Sequence, residues 1–211
     1  MSRARTGLSA RRVGRVGVAV MGALLASLLW VGSVGADSDD ESGGLSPEKQ
    51  AEGRAKVQKV VDETLKELFE VQPKAKEALA KSDGYAVFSN FGMKILVGGG
   101  GTGKGLAVDQ TTGAKTYMKM VELQAGLGMG VKKFRVVWVF NDQSDFEHFI
   151  NQGWELGGQA TAAAKLNDDG GAMQGALSVK DGVWIYQLTG DGLALELTLK
   201  GTKYYKDKKL N

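Results

Sequence analysis

The first clear periodicity in the chain lies between residues 47 and 69, where Val57, Val60, Val61, Leu65, Leu68 and Phe69 recur at steps of three and four. That spacing gathers them into one stripe along an α-helix. Ser46 offers an N-cap oxygen, Pro47 suits the first helical position and Glu48 falls in the first turn, so the start of the helix is marked as well. The stripe must be covered, either by the domain's own sheet or by a bilayer on which the helix lies. Its polar side mixes Lys56, Lys59 and Lys66 with Asp62, Glu63, Glu67 and Glu70. A helix that seeks anionic lipid carries mainly basic residues there. Pro73 opens a second, short helix, which ends at the Asp83-Gly84 turn.

No proline follows Pro73, and the period changes from helical to strand-like. Strands are predicted near residues 85–90, 94–99, 103–109, 115–122, 126–131 and 134–140. Asp142 then caps a short helix with Phe146, Phe149 and Ile150 on one face and His148 off it. Residues 157–166, rich in alanine and glycine, are read as a strand under close packing, and 167–171 as a turn. Residues 172–179 and 183–189 form a hairpin through Lys180-Asp181-Gly182. Leu193, Leu195, Leu197 and Leu199 alternate with Ala194, Glu196, Thr198 and Lys200, the pattern of a half-buried strand. The lysine-rich end, residues 206–211, is expected to be an exposed tail.

The glycines carry a pattern of their own. Gly99, Gly101, Gly103 and Gly105 alternate, which in a strand leaves one bare face that a helix, another sheet or a ligand can approach closely. Gly126, Gly128 and Gly130 repeat the device. Gly98, Gly103 and Lys104 also fall at the spacing of a phosphate-binding loop, but Gly105 stands where that motif needs a hydroxyl. Leu106 to Val108 continue as a strand where a helix should begin, so a nucleotide site is not expected.

Charge changes the picture at the N-terminus. Residues 1–36 place Arg3, Arg5, Arg11, Arg12 and Arg15 before an uncharged run that ends in small residues, the form of an export signal cleaved after Ala36. An uncleaved anchor is the competing reading, because the run approaches the roughly 20 residues that span a bilayer. This segment holds five of the 27 basic residues and none of the 24 acidic ones, leaving 22 against 24 and a net charge of −2. No dense basic cluster then remains to argue for nucleic acid. Residues 37–45 are acidic and poor in apolar groups, a flexible linker, and residues 46–205 are long enough for one domain. The absence of cysteine excludes disulfides, thiolate metal sites and a lipidated cysteine.

Candidate chemistry is sparse. His148 is the only histidine and has no evident partner for acid–base work. Asp168-Asp169 could bind calcium, but a turn of that composition needs no ion, and Trp138, Trp154 and Trp184 could edge a lipid mouth, yet burial in the core is their commoner use. Lys132, Lys133 and Arg135 stand at the start of one predicted strand, and Lys94 and Lys104 border the glycine-faced strands. Brought together, these five cations would hold an anionic headgroup beside an apolar opening. Left apart, they are ordinary solvated side chains. No catalytic residues, metal ligands or cofactor are expected, so the protein is read as a non-enzyme.

The order of several segments resembles the SYLF lipid-binding domain family, specifically its exported bacterial branch. The segments are SDGYAVFSN at 82–90, the glycine tract at 98–105, QAGLGMGVKKFRVVWV at 124–139, GWELGGQATAAAK at 153–165 and GLALELTLKGTKYY at 192–205. The resemblance implies a compact α+β domain that binds phospholipid. With the strand succession above, the expected fold is a single α+β domain. Its curved, mostly antiparallel sheet, barrel- or sandwich-like, is packed with an amphipathic N-terminal helix and short helices. The expected function is that of an exported phospholipid-binding module of the periplasm or cell envelope. Its partners are then a phospholipid or membrane surface, such as phosphatidylethanolamine or phosphatidylglycerol, and no nucleic acid. The alternative is a structural module that meets an envelope protein partner without lipid.

Overall fold

Helix α1, Pro47–Val71, begins where the sequence marks it, with the Lys49 amide donating to Ser46 Oγ at 3.4 Å. This is a computed structural model, and it describes residues 44–90, 95–96, 100–123, 134–157, 165–166, 171–194 and 201–211, all within the unit Ser42–Asn211. The short α2, Lys74–Lys81, follows Pro73 and turns into β1, Gly84–Ser89. Then come β2, Ile95–Leu96, β3, Gly100–Asp109, β4, Lys115–Leu123, and β5, Phe134–Phe140. Helix α3, Gln143–Gln152, leads to β6, Trp154–Leu156, and β7, Lys165–Leu166. The chain closes with β8, Leu177–Lys180, β9, Val183–Thr189, β10, Gly192–Leu193, and β11, Thr202–Lys206.

The strands form one sheet in the order β6-β11-β4-β3-β1-β5-β9-β8-β7, with β2 beside β3 and β10 beside β9. Every described pairing is antiparallel. The fold is therefore α+β, as expected. The sheet curls into a half-barrel, and ring distances show how far. Four strand spacings separate β11 from β5, which in a flat sheet is about 19 Å. Yet the rings of Tyr204 on β11 and Trp138 on β5 lie 5.0 Å apart, and Tyr204 also meets Phe88 of β1 at 4.8 Å.

Both faces of the sheet are covered. The inner face holds Phe88, Trp138, Phe140 and Tyr204, closed by Phe146 and Phe149 of α3. Asp142 fixes that helix by accepting from the Ser144 and Asp145 amides at 2.9 and 3.2 Å. The outer face holds Val87, Leu106, Val137, Val139 and Tyr186 under Val57, Val61 and Leu68 of α1 and Ala75 and Leu79 of α2. The stripe of α1 thus packs on the sheet, while its polar side pairs internally through Glu52–Lys56, Lys59–Glu63 and Lys66–Glu70 at 2.6, 4.0 and 3.9 Å.

The bare glycine face lies inside the curl. A Cβ at Gly105 would overlap the Phe88 ring and the Val87 carbonyl, and one at Gly103 would meet Met120 and the Ser89 carbonyl. The close neighbours there are the protein's own side chains and backbone. Of the glycines at 99 and 101, and of Gly126, Gly128 and Gly130, the side-facing environment lies outside the described residues. So do the predicted strand at 126–131, most of 157–164, the turn at 167–170 and residues 195–199. The presumed signal, residues 1–36, and nearly all of the linker at 37–45 fall outside them too.

The expectation of an exposed tail at 206–211 is corrected. Lys206 completes β11, and the residues after it fold back over α1 and β4. The Asp207 amide donates to the Tyr117 carbonyl at 2.9 Å, and the Asn211 carboxamide both donates to that carbonyl and accepts from the Tyr117 amide, at 2.7 and 3.0 Å. Arg54 and Gln50 of α1 donate to the carbonyls of Leu210 and Lys209 at 2.6 and 3.1 Å. Leu210, 1% exposed, fills the space beside Gly53. One leucine among lysines anchors the segment, because the lysines keep their charges in water while its apolar group is buried.

Candidate functional site

Antiparallel register brings part of the predicted cation set together. Ser89 on β1 pairs with Lys104 on β3 to one side and with Arg135 on β5 to the other. Directly paired residues share a face, and two residues earlier the same row reads Leu106, Val87, Val137, all beneath α1. Lys104 and Arg135 therefore stand on the outer face, two strand spacings or about 10 Å apart along the sheet. Lys104 in turn pairs with Lys119 on β4, and Lys119 with Tyr205 on β11. On the other side Arg135 faces Leu188 of β9. The row thus runs Tyr205, Lys119, Lys104, Ser89, Arg135, Leu188, three cations between an aromatic ring and a leucine.

Two of the three cations have carboxylates against them. Arg135 Nη1 contacts Glu67 Oε2 of α1, with both side chains partly exposed. Lys119 Nζ lies 3.4 Å from Oδ1 of Asp207, which is buried and also accepts from the Lys209 amide at 3.0 Å. Lys104 is exposed, with no ion pair among the described residues. Ser89 is buried between them. Of the five cations singled out in the sequence, Lys104 and Arg135 share this row, while Lys94, Lys132 and Lys133 lie outside the described residues.

Sequence reasoning missed Lys119, Glu67 and Asp207. The first was within reach, because the turn at Asp109 to Ala114 fixes the β3–β4 register and Lys119 shares a face with Tyr117 and Val121, opposite Met118 and Met120. Lys104 sits inside a continuous strand with no helix after it, which removes the phosphate-binding-loop geometry.

An open groove of about 350 Å³ lies apart from the row, beside α3, lined by Asp145, His148, Gly153, Trp154, Glu155 and Lys180. Lys180 closes on Asp145 at 2.5 Å, and His148 meets the Trp154 ring edge-on at 6.1 Å. Lys180 and Asp145 pair with each other, and with Glu155 beside them the lining presents no single sign to a ligand. Among the described residues there is no group of three side chains placed to hold a metal ion, and no helix is long and apolar enough to cross a membrane. Trp138 is fully buried in the inner core, Trp154 is half-buried beside that core, and Trp184 is half-buried beside the outer one. Tyr204 points inward and Tyr205 outward.

The described residues thus form a half-barrel wrapped round an aromatic core, with a helix clamped to its outer face and a cationic row crossing that face. Residues 121–211 match the family described as "Las17-binding protein actin regulator". The chain is also 34% identical over 168 residues to "Beta cell expansion factor A" of Aeromonas veronii, covering 79% of this chain and 62% of that protein. The family matched over residues 121–211 is the SYLF family. The chain spans less than two thirds of the length of this relative.

Proposed function

We propose that the protein is an exported, non-enzymatic phospholipid-binding module that docks on a bacterial envelope membrane through the outer-face row. The match of residues 121–211 to a family of lipid-binding or actin-regulator-like modules supports a binding role of this kind. The observation that carries the reading is the register pairing of Lys104, Ser89 and Arg135, which sets two cations and a hydroxyl on one face. Guanidinium and ammonium groups hold phosphate oxygens by charge-assisted hydrogen bonds, and Tyr205 at the end of the row suits the interface between headgroup and acyl chain. In sequence, Lys132 and Lys133 lead directly into β5, and Lys94 follows β1 by four residues beyond Asn90.

Vesicle flotation tests the proposal. The protein without residues 1–36 floats with vesicles of phosphatidylglycerol and phosphatidylethanolamine at low salt, binds less at high salt, and loses affinity on Lys104→Glu. Protein that stays at the bottom of the gradient with such vesicles overturns the lipid reading and favours a protein partner. Export is tested separately by the mass of the chain recovered from the envelope fraction, expected to begin at Asp37. A full-length chain retained in the cytoplasm overturns it.

A further inference from the structure

We infer that Glu67 is a built-in counter-ion of the cationic row, occupying the place of a ligand's phosphate on Arg135 and giving way when the row meets an anionic membrane. This inference rests on the lipid-binding reading of the row. It adds that affinity is set as much by a carboxylate on α1 as by the cations on the sheet.

The two carboxylates against the row differ in kind. Asp207 is 1% exposed and held by the Lys209 amide as well as by Lys119, so it is a fixed part of the fold. The Glu67 side chain is 35% exposed and the Arg135 side chain 18% exposed. Arg135 Nε is buried, so the pair opens to solvent mainly on the Glu67 side, where an anion would have to take the carboxylate's place. Glu67 stands on α1 one residue before Leu68, which is fully buried against the sheet. The backbone there is pinned by Leu68, so Glu67 gives way by a change of its own side-chain rotamer. Lys104, one strand beyond Ser89 and exposed without an ion pair among the described residues, is left to make first contact. Ion pairs at partly exposed positions are weak enough to be exchanged in this way.

The test compares Glu67→Gln with Glu70→Gln by binding to phosphatidylglycerol–phosphatidylethanolamine vesicles at low salt. Each removes one negative charge from α1, but Glu70 pairs with Lys66 on the exposed side of the helix at 3.9 Å. One basic side chain at an anionic surface is worth about 1 kcal/mol, so Glu67→Gln is expected to tighten binding about fivefold. Glu70→Gln is expected to change it less than twofold. Arg135→Gln supplies the thermodynamic cycle: a small effect in the parent chain, and loss of the gained affinity in the Glu67→Gln chain. Thermal melts establish that each variant is folded before binding is compared.

Equal effects of the two glutamate substitutions, or an Arg135→Gln effect that is the same in both backgrounds, overturn the counter-ion role while leaving lipid binding in place. Failure of the parent chain and of all variants to bind vesicles overturns the lipid-binding reading itself.

Discussion

Leu210→Ala puts the folded C-terminal segment to the test. Leu210 is 1% exposed and packs where α1 carries Gly53, a residue with no side chain to relax into the vacated space. Truncating a buried leucine to alanine costs about 2–5 kcal/mol, through lost transfer energy and the cavity left behind. The site lies at the margin of the outer core, where part of the cavity opens to water, so the lower half of that range applies, about 2–3 kcal/mol. For a chain of this size 1 kcal/mol moves the melting temperature by about 2–4 °C, giving an expected fall of about 4–12 °C. Lys208→Ala, at an exposed position two residues away, is the control and is expected to stay within about 0.5 kcal/mol. Melting followed by circular dichroism, with urea titrations to check that the cooperativity is unchanged, reads both. A Leu210→Ala protein that melts with the parent and with the Lys208→Ala control would show that the segment contributes nothing, and the assignment of Leu210 to the core would be wrong.

Gly105→Ala drives a methyl group into the Phe88 ring and the Val87 carbonyl, so overpacking is expected to cost about 1–3 kcal/mol, read as a lower urea midpoint with a disturbed near-ultraviolet aromatic signal. An unchanged midpoint would mean that the curl does not need a bare face there. Burial pushes the Tyr186 phenol up to about 12, so its neutral form is favoured in the fold. The resulting stability is complete below the usual tyrosine value near 10 and is lost as the pH rises from there to about 12. Urea titrations at pH 9 and 11 should show the decline, and Tyr186→Phe should remove much of its slope. The Asp142 carboxylate is held below the usual aspartate range by hydrogen bonds from the Ser144 side chain and the Asp145 amide, so its contribution is present at neutral pH and lost as pH falls through its lowered value. Asp142→Ala is expected to lower the melting temperature at pH 7 and Asp142→Asn, which still caps, to lower it less; equal melting of both variants with the parent would refute the capping role.

Much of the fold is local and was readable as such. The apolar stripe of α1, the Asp142 cap and the strand at Phe134–Phe140 each depend on residues within a few positions of one another. The curl was not readable, because alternation along a strand says which residues share a face but not how sharply the sheet bends. The glycines at 103 and 105 hinted at close approach without naming Phe88 and Met120 as the neighbours. The candidate site divides in the same way. Lys104 and Arg135 were singled out by their places in strands, and Lys119 could have been added from hairpin register. Glu67 could not, since its importance lies in a contact between a helix and a strand that begins 67 residues later. Leu210 was hidden for a simpler reason, a single apolar residue in a run whose composition otherwise reads as solvated.

The aromatic filling of the half-barrel has a consequence for the kind of lipid chemistry open to the protein. At the level of α3, the rings of Phe88, Trp138, Phe140, Phe149 and Tyr204 occupy the interior that in a lipid carrier would house acyl chains. On the present reading lipid is met from outside, as a charged plane rather than as a single swallowed molecule. Binding of that kind follows the density of anionic headgroups in the plane and reverses as that density falls, so a protein docked as proposed would report on membrane composition without removing anything from it.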